Sequence, residues 1–534
     1  MMRKQVIVIG AGLAGMVAAY AAQAEGAEVI LIDRGLIGIG TNSALSNGVF
    51  AGPTSSYSPD DYVKDTLQIG KMINNELSVK VVAQQVPNAF KFLRYLGINL
   101  EESPGHYILK PSRPDVMRGV ALVRKLAEEV RNLERVNILA GFYITEILRE
   151  GNQLHGVKGF DKKGREVSIC APAVVMATGG AGAIYLRNDN QKTMMGQGYF
   201  LAAKAGLELW DMEFVQFYPL VIAEPHLPSL MLYPPYPREA KLISASGEDI
   251  LRKYGIDDTY EAIRKKRDEF SAIVFEEGLA GPVYMDYRKI PSFLWEKYPL
   301  SLLKKIKFDF RTRPFAISPG AHFFIGGIRT DELAQTSLPG LFACGEVAWG
   351  LHGANRRGGN ALTECVVFGR IAGRSAARYA LTHQESPSDT KELPNAPAPH
   401  LSPAQIRYRE LRHLIRDIAW RYAGVVRSEQ GLKVGLSKLE ELDGELGETA
   451  PQTVSERKLR QDLMSAAFVL KAVLTASLAR MESRGVFNRK DFPQEDNFSW
   501  RKNSCLVYDL EGDDFSVSHH QVINPSLETS EVVV

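Results

Sequence analysis

A chain of 534 residues is too long for one ordinary core and implies two or three domains. Apolar residues make up 45% and charged residues 24%, the mix of an ordinary soluble globular protein. With 64 basic against 62 acidic residues the net charge is +2, which argues against nucleic acid or an anionic membrane surface as partner.

In chain order, the first segment is Arg3-Lys4 followed by an apolar run that loosely mimics a secretory signal. The glycines within it support a different reading. Gln5 to Ile9 is β-branched and predicts a buried parallel strand. It runs into Gly10-Ala11-Gly12-Leu13-Ala14-Gly15, an Ala-rich helix from about Met16 to Glu25, and a second strand, Ala27 to Ile32, closing on Asp33. Gly10 permits the tight turn, Gly12 lets a pyrophosphate reach the backbone at the positive end of the helix, and Gly15 allows close helix–strand packing. Leu13 and Ala14 belong to the same phosphate-facing turn. Asp33, 23 residues after Gly10, is placed to accept hydrogen bonds from the adenosine ribose. The whole unit predicts a Rossmann-like dinucleotide-binding domain.

Further on come Gly40 to Gly48, with Asn42, Ser43 and Asn47, and an apolar strand from Ala171 ending in Ala177-Thr178-Gly179-Gly180. Asp211-Met-Glu-Phe-Val-Gln-Phe217 is followed by Tyr218-Pro219, and Leu232 to Arg238 is rich in tyrosine and proline. Arg267 sits in a basic run, Ile263 to Asp268, and His322 lies between glycines in Pro319 to Ile328. Leu338 to Glu346 is a strand ending in a glycine and an acid. His352-Gly-Ala-Asn-Arg-Arg-Gly-Gly-Asn-Ala-Leu362 and Glu482-Ser-Arg-Gly485 complete the motifs. Ser386 to His400 carries four prolines and reads as a linker. Leu463, Ala467, Leu470, Leu474 and Leu478 share one helical face, a core stripe. Cys170, Cys344, Cys365 and Cys505 form no CxxC, so no iron–sulfur, zinc or haem site is expected, and scattered thiols suit a reducing compartment. No run of about 18 uninterrupted apolar residues occurs, so no transmembrane helix is expected.

The strands ending at Gly180 and Glu346 resemble the second and third FAD signatures of two-dinucleotide-type flavoproteins. Taken together, the motifs resemble the flavoprotein subunits of succinate dehydrogenase and fumarate reductase, with L-aspartate oxidase as a cousin. The paired glycines after the HGANR block, Gly358 and Gly359, lean to the reductase side. The resemblance implies an α/β fold. The FAD domain is split into 1–219 and 326–384 around an α+β capping domain at 220–325. A linker at 385–400, a helical domain at 401–490 and a tail at 491–534 follow.

The resemblance also implies roles. FAD would be held by Gly10, Gly12, Leu13, Ala14, Gly15, Asp33, Asn42, Ser43, Asn47, Gly48, Ala177, Thr178, Gly179, Glu346, Asn360, Ala361 and Leu362. Reducing an activated alkene calls for a hydride at one carbon, an acid for its neighbour and cations on the carboxylates. Arg356 matches the carboxylate clamp, His322 a second carboxylate ligand and Arg267 the proton donor. Tyr218 stands where the family has a substrate-binding His, and Tyr233 and Tyr236 fall on its Glu and Arg proton relay, for which Arg238 and Glu239 are nearby substitutes. Arg357 stands where the family usually has Leu and is expected to be solvated or paired elsewhere. Members that attach FAD covalently use a His whose place is taken here by Asn42, so dissociable FAD is expected. A small carboxylate substrate, a separate electron-transfer partner and a cytoplasmic location, with any membrane contact made through that partner, complete the expectation.

Overall fold

The computed structural model describes residues 4–110, 115–383, 403–448 and 450–523. Its centre is a five-stranded parallel sheet. Strands Leu341–Ala343, Ala173–Met176, Gln5–Ile9, Glu28–Asp33 and Val136–Ala140 lie side by side in that order. Gln5–Ile9 is buried almost throughout, as a parallel strand covered on both faces must be. The register pairs Ile9 with Met176 on one side and Ile32 on the other, so the glycine-rich turn after Ile9 opens at the carboxyl edge of the sheet. Helices Leu13–Ala24 and Asn360–Thr382 cover one face. They touch backbone to backbone: a Cβ on Gly373 would meet the Ala18 carbonyl at 2.2 Å. This contact draws the amino end of the second helix, from a distant part of the sequence, toward the same edge as the first.

Residues beyond Phe217 build a second layer with its own hydrophobic core, including Leu220, Leu242, Phe270, Met285 and Phe315. Strands Val215–Ile222, Phe315–Phe324, Val283–Asp286 and Lys241–Ile243 form an antiparallel sheet in that order. Its two long strands carry Tyr218 and His322 and run back to the parallel-sheet domain. The helix Thr259–Ala280 lies against this sheet and is interrupted at Lys266, whose φ of −141° and ψ of 44° are not helical.

Helices Pro403–Tyr422, Glu429–Glu448 and Val454–Ala479 follow. The third is long and apolar enough to cross a membrane by length and composition, yet 72% of its most apolar window is buried in the protein. Leu463, Ala467, Leu470 and Leu474 are buried and Leu478 is partly so, all in one core shared with the underside of the parallel sheet. The proline-rich 385–400 linker lies outside the described residues. The segment expected as a tail from 491 contains a hairpin instead. Lys502–Asp509 and Asp514–Gln521 pair with each other, and the first also pairs with Leu209–Trp210. Buried polar groups fasten it: Asn503 and Ser504 donate to Asp211 at 2.7 and 2.8 Å.

Candidate functional site

The slot at the sheet edge has the chemistry of a dinucleotide site. Asp33 accepts from Ala11 N at 2.8 Å and Gly35 N at 2.7 Å, so it braces the turn, and burial raises its pKa. Leu13 N donates to Ser43 Oγ at 3.2 Å. Gly10 has φ 99°, and a Cβ there would strike the Ala177 carbonyl at 2.3 Å. Gly12 differs. Its backbone is extended, and a Cβ would find only Ser43 Oγ, at 3.6 Å, as nearest neighbour. The protein itself therefore does not require glycine at position 12, but a ligand lying on the backbone would. The helix it starts has no side-chain cap, leaving amide donors for phosphate, and Thr178 Oγ1 is buried without a partner. A cavity of about 110 Å³ runs along Gly10, Gly12, Leu13, Ala14, Asp33, Ala177, Thr178 and Gly179.

Asn42, Ser43, Glu346 and Cys365 line this slot and also a larger cavity of about 1010 Å³, which makes the two contiguous. Glu346 accepts from Phe324 N at 3.0 Å, and burial pushes its pKa up to about 7. Ala361 and Leu362, at the uncapped amino end of the Asn360–Thr382 helix, line the larger cavity. This helix end can face an electron-rich ring edge. The neighbouring Asn360 accepts from Tyr62 at 2.9 Å, and its Nδ2 is buried without a partner. Unpartnered buried donors, an uncapped helix end and open space before Gly12 fit FAD laid through both cavities. Three of the expected residues line neither: Asn360, Gly15, which packs on the Gly10 carbonyl, and Gly48, which packs on Arg118. Asn47 lines the larger one and accepts from Tyr298. Asn42 donates to Asn190 Oδ1 at 2.5 Å and accepts from Gln191 N at 2.9 Å.

The larger cavity also collects Tyr218, Arg267, His322 and Arg356, residues from three separate parts of the sequence. Arg356 is 4% exposed. Its Nε donates to Gln216 at 3.0 Å and its guanidinium lies 4.7 Å from the Phe323 ring centre. Burial and the neighbouring Arg267 lower its pKa to about 9, leaving a cation at neutral pH. Arg267 follows directly on the helix break at Lys266. It donates through Nη2 to the Arg356 carbonyl at 2.6 Å, and its Nε is buried without a partner. Burial lowers its pKa too. His322 Nδ1 donates to Asp189 Oδ2 at 2.8 Å, which leaves Nε2 for a ligand. Tyr218 is hydrogen-bonded to Tyr236, which itself donates to the Leu232 carbonyl at 2.8 Å. Burial pushes Tyr218 up to about 12, so it remains a neutral phenol.

Some members of this constellation escaped the sequence reading. Asn355 is the hub: its Oδ1 accepts from Gln216 at 3.0 Å and from Arg267 at 3.4 Å, and its Nδ2 donates to both oxygens of Asp268, at 3.0 and 2.9 Å. Gln216 and Asn355 lay inside the motifs named above. Asp189 had only a faint signal, a polar Asn-Asp-Asn run after an apolar glycine loop. The expected relay substitutes Arg238 and Glu239 do not line the cavity, whereas Tyr233 and Tyr236 do. Tyr233 donates to the Leu45 carbonyl, tying the second layer to the parallel-sheet domain.

Comparison with known proteins gives consistent results. The family model for the FAD binding domain matches residues 5–362, and the one for the fumarate reductase flavoprotein C-terminus matches 412–532. One subunit of the fumarate reductase (CoM/CoB) of Methanothermobacter marburgensis is 30% identical, over 95% of this chain and 97% of its own. L-aspartate oxidase 1 of Ralstonia nicotianae is 28% identical, over 92% and 96%. Among solved structures, the FrdA chain of E. coli quinol fumarate reductase superposes with a TM-score of 0.82 at 25% identity, covering 98% of both chains. On this evidence the chain is a FAD-dependent oxidoreductase that belongs to the succinate dehydrogenase and fumarate reductase flavoprotein family.

Proposed function

We propose that the protein reduces the carbon–carbon double bond of an unsaturated carboxylic acid and receives its electrons from a separate redox partner. One observation carries the reading. Arg267 and Arg356 both line the cavity, and neither forms an ion pair among the described residues. Asp268, Glu346, Glu364 and Asp189 act on them from beyond ion-pair distance, and holding two guanidinium groups side by side without a direct ion pair is costly unless an anion completes the site.

FAD held in these cavities would, once reduced by the redox partner, supply the hydride for one alkene carbon. Arg356, held by Gln216 and Phe323, clamps a substrate carboxylate. His322 Nε2, oriented by Asp189, holds and polarises the acid, and Tyr218, whose proton goes to Tyr236, lines the wall beside it. Arg267 gives a proton to the neighbouring carbon, with Asn355 and the Arg356 carbonyl fixing its fork. Contacts from Tyr233 and Tyr298 to Leu45 and Asn47 keep the second layer closed over the site and exclude water. Asn42 cannot form a histidyl link, so FAD is dissociable, which suits reduction over oxidation of a saturated acid.

What supports a separate redox partner is the relatives, which are named as a subunit or belong to a quinol-linked reductase. The test is anaerobic: reduce the bound flavin with dithionite, then add a panel of unsaturated acids and follow flavin absorbance. Rapid reoxidation by at least one acid is expected. Reoxidation by none, or flavin reduction by L-aspartate in the oxidised enzyme, would overturn the reading.

A further inference from the structure

We propose that Arg357 forms a second anion subsite in the same cavity, and that the preferred substrate carries one more carboxylate than Arg356 and His322 engage: an unsaturated tricarboxylate in place of a C4 dicarboxylate. The proposal rests on the carboxylate reading above and goes beyond it by naming the substrate class.

Consecutive arginines point apart. Arg356 turns to Gln216 and Phe323, whereas Arg357 turns to the opposite wall, where Nη1 donates to Tyr57 at 2.7 Å. Its guanidinium lies 4.9 Å from the Tyr57 ring centre and 5.2 Å from that of Tyr62. Two aromatic faces and a phenol thus fix the cation in place. Asp65, the acid on this wall, is satisfied by the Tyr57 hydroxyl at 2.5 Å and forms no ion pair with Arg357. Among the described residues Arg357 has no ion-pair partner at all, although it lines the cavity with His106 and Gly358.

The space around it has room for a ligand. A Cβ on Gly358 would meet nothing within 4 Å, so the chain leaves a passage open next to Arg357. His106 stands beside this passage with Nδ1 on the Pro104 carbonyl at 3.2 Å, and burial together with the nearby Arg357 lowers its pKa. The one N–H of a neutral imidazole goes to that carbonyl, so His106 shapes the passage without adding a second cation beside Arg357. A residue needed only for packing could have been apolar between Tyr57 and Tyr62. A fixed, unpaired guanidinium facing open space suits a carboxylate, which it can bind bidentately.

The test uses the FAD-loaded protein and the saturated acids that the proposed reaction would form, with binding read from the shift of the oxidised-flavin band and any reduction read separately from its bleaching. Oxidised flavin absorbance is titrated with succinate and with propane-1,2,3-tricarboxylate. The wild-type protein should bind the tricarboxylate at least about tenfold more tightly, since one extra charge-assisted contact is worth about that much. Arg357→Leu should cut this preference to within about twofold, and Arg357→Lys should retain part of it. Equal weakening of both acids in Arg357→Leu would mean a packing role, and loss of flavin would mean a cofactor role; either overturns the subsite. A wild-type protein that binds succinate but shows no preference also overturns it, while leaving the carboxylate reading intact. If neither acid perturbs the flavin, both readings fall.

Discussion

Replacing Arg267 with Lys separates proton delivery from electrostatic binding at the proposed centre. The wild-type guanidinium spends Nη2 on the Arg356 carbonyl at 2.6 Å, with a longer contact to Asn355 at 3.4 Å. Its other terminal nitrogen can therefore face the substrate while the fork stays anchored. A lysine has a single nitrogen. If it keeps the anchoring carbonyl it gives up its place beside the substrate carbon, and if it leaves the carbonyl it loses its orientation. The charge is kept in both cases, so substrate affinity should change by less than about tenfold. A positioned general acid contributes about 10²–10⁴ in rate, or roughly 3–5 kcal/mol of barrier. Arg267→Lys should thus slow single-turnover reoxidation of the reduced flavin, at saturating substrate, by at least about a hundredfold. Stopped-flow absorbance under anaerobic conditions measures it, using the best acid from the screen. A rate within about threefold of wild type, with normal saturation behaviour, would refute the assignment.

Acid precipitation should release the flavin into the supernatant, because the Asn42 amide is bonded to Asn190 and Gln191 and has no nucleophilic ring nitrogen; flavin in the pellet would contradict this. Gly12→Val should leave a folded protein with FAD affinity reduced by at least about a hundredfold, since the nearest atom to a Cβ there is 3.6 Å away, whereas Gly15→Ala would meet the Gly10 carbonyl at 1.8 Å and should lower the thermal midpoint of the apoprotein itself. Glu346 has a folded pKa of about 7, above the ordinary value of 4.5, so the folded apoprotein holds its proton more tightly than the unfolded chain and this contribution to stability is lost as pH rises through 7. Apoprotein stability measured by urea at pH 5 and pH 8 should fall less in Glu346→Gln than in wild type, and equal slopes would remove Glu346 as the cause. Arg356→Ala should weaken substrate binding by about 2–5 kcal/mol while FAD stays bound, as titration of flavin absorbance would show.

How much of this was legible depended on whether a requirement is local. The turn from Gly10 to Gly15 and the acid at Asp33 announce themselves because strand, glycine turn and helix lie within one short stretch. The 220–325 bounds expected for the capping domain came from the family resemblance and not from a local pattern. The hairpin of Lys502–Asp509 and Asp514–Gln521 could not be read. Ten of its sixteen side chains are polar, and what holds it is the burial of Asn503 and Ser504 on Asp211, nearly 300 residues earlier.

The same distinction holds inside the site. His322 and Arg356 stood out by their flanking glycines, whereas Arg267, in a basic run, stood out only through the family resemblance. The groups that orient them are ordinary amides and acids. Asp189 acquires a role only when His322, 133 residues later, is brought within 2.8 Å. Asn355 becomes a hub only because the helix of Arg267 breaks at Lys266 and turns that arginine back toward the HGANR loop. The loop is itself held from outside: Val486 N donates to the Ala354 carbonyl at 3.0 Å, and a Cβ on Gly485 would strike that carbonyl at 2.2 Å. Glu482 anchors this segment by accepting from Arg480 and Arg484 at 2.9 and 2.7 Å, all three side chains fully buried. The Glu-Ser-Arg-Gly motif therefore needs no contact with substrate to matter for chemistry. It fixes the backbone just before Asn355 and Arg356, and through Asn355 the position of Arg267. Its sequence signal and that of the HGANR block belong to one structural requirement.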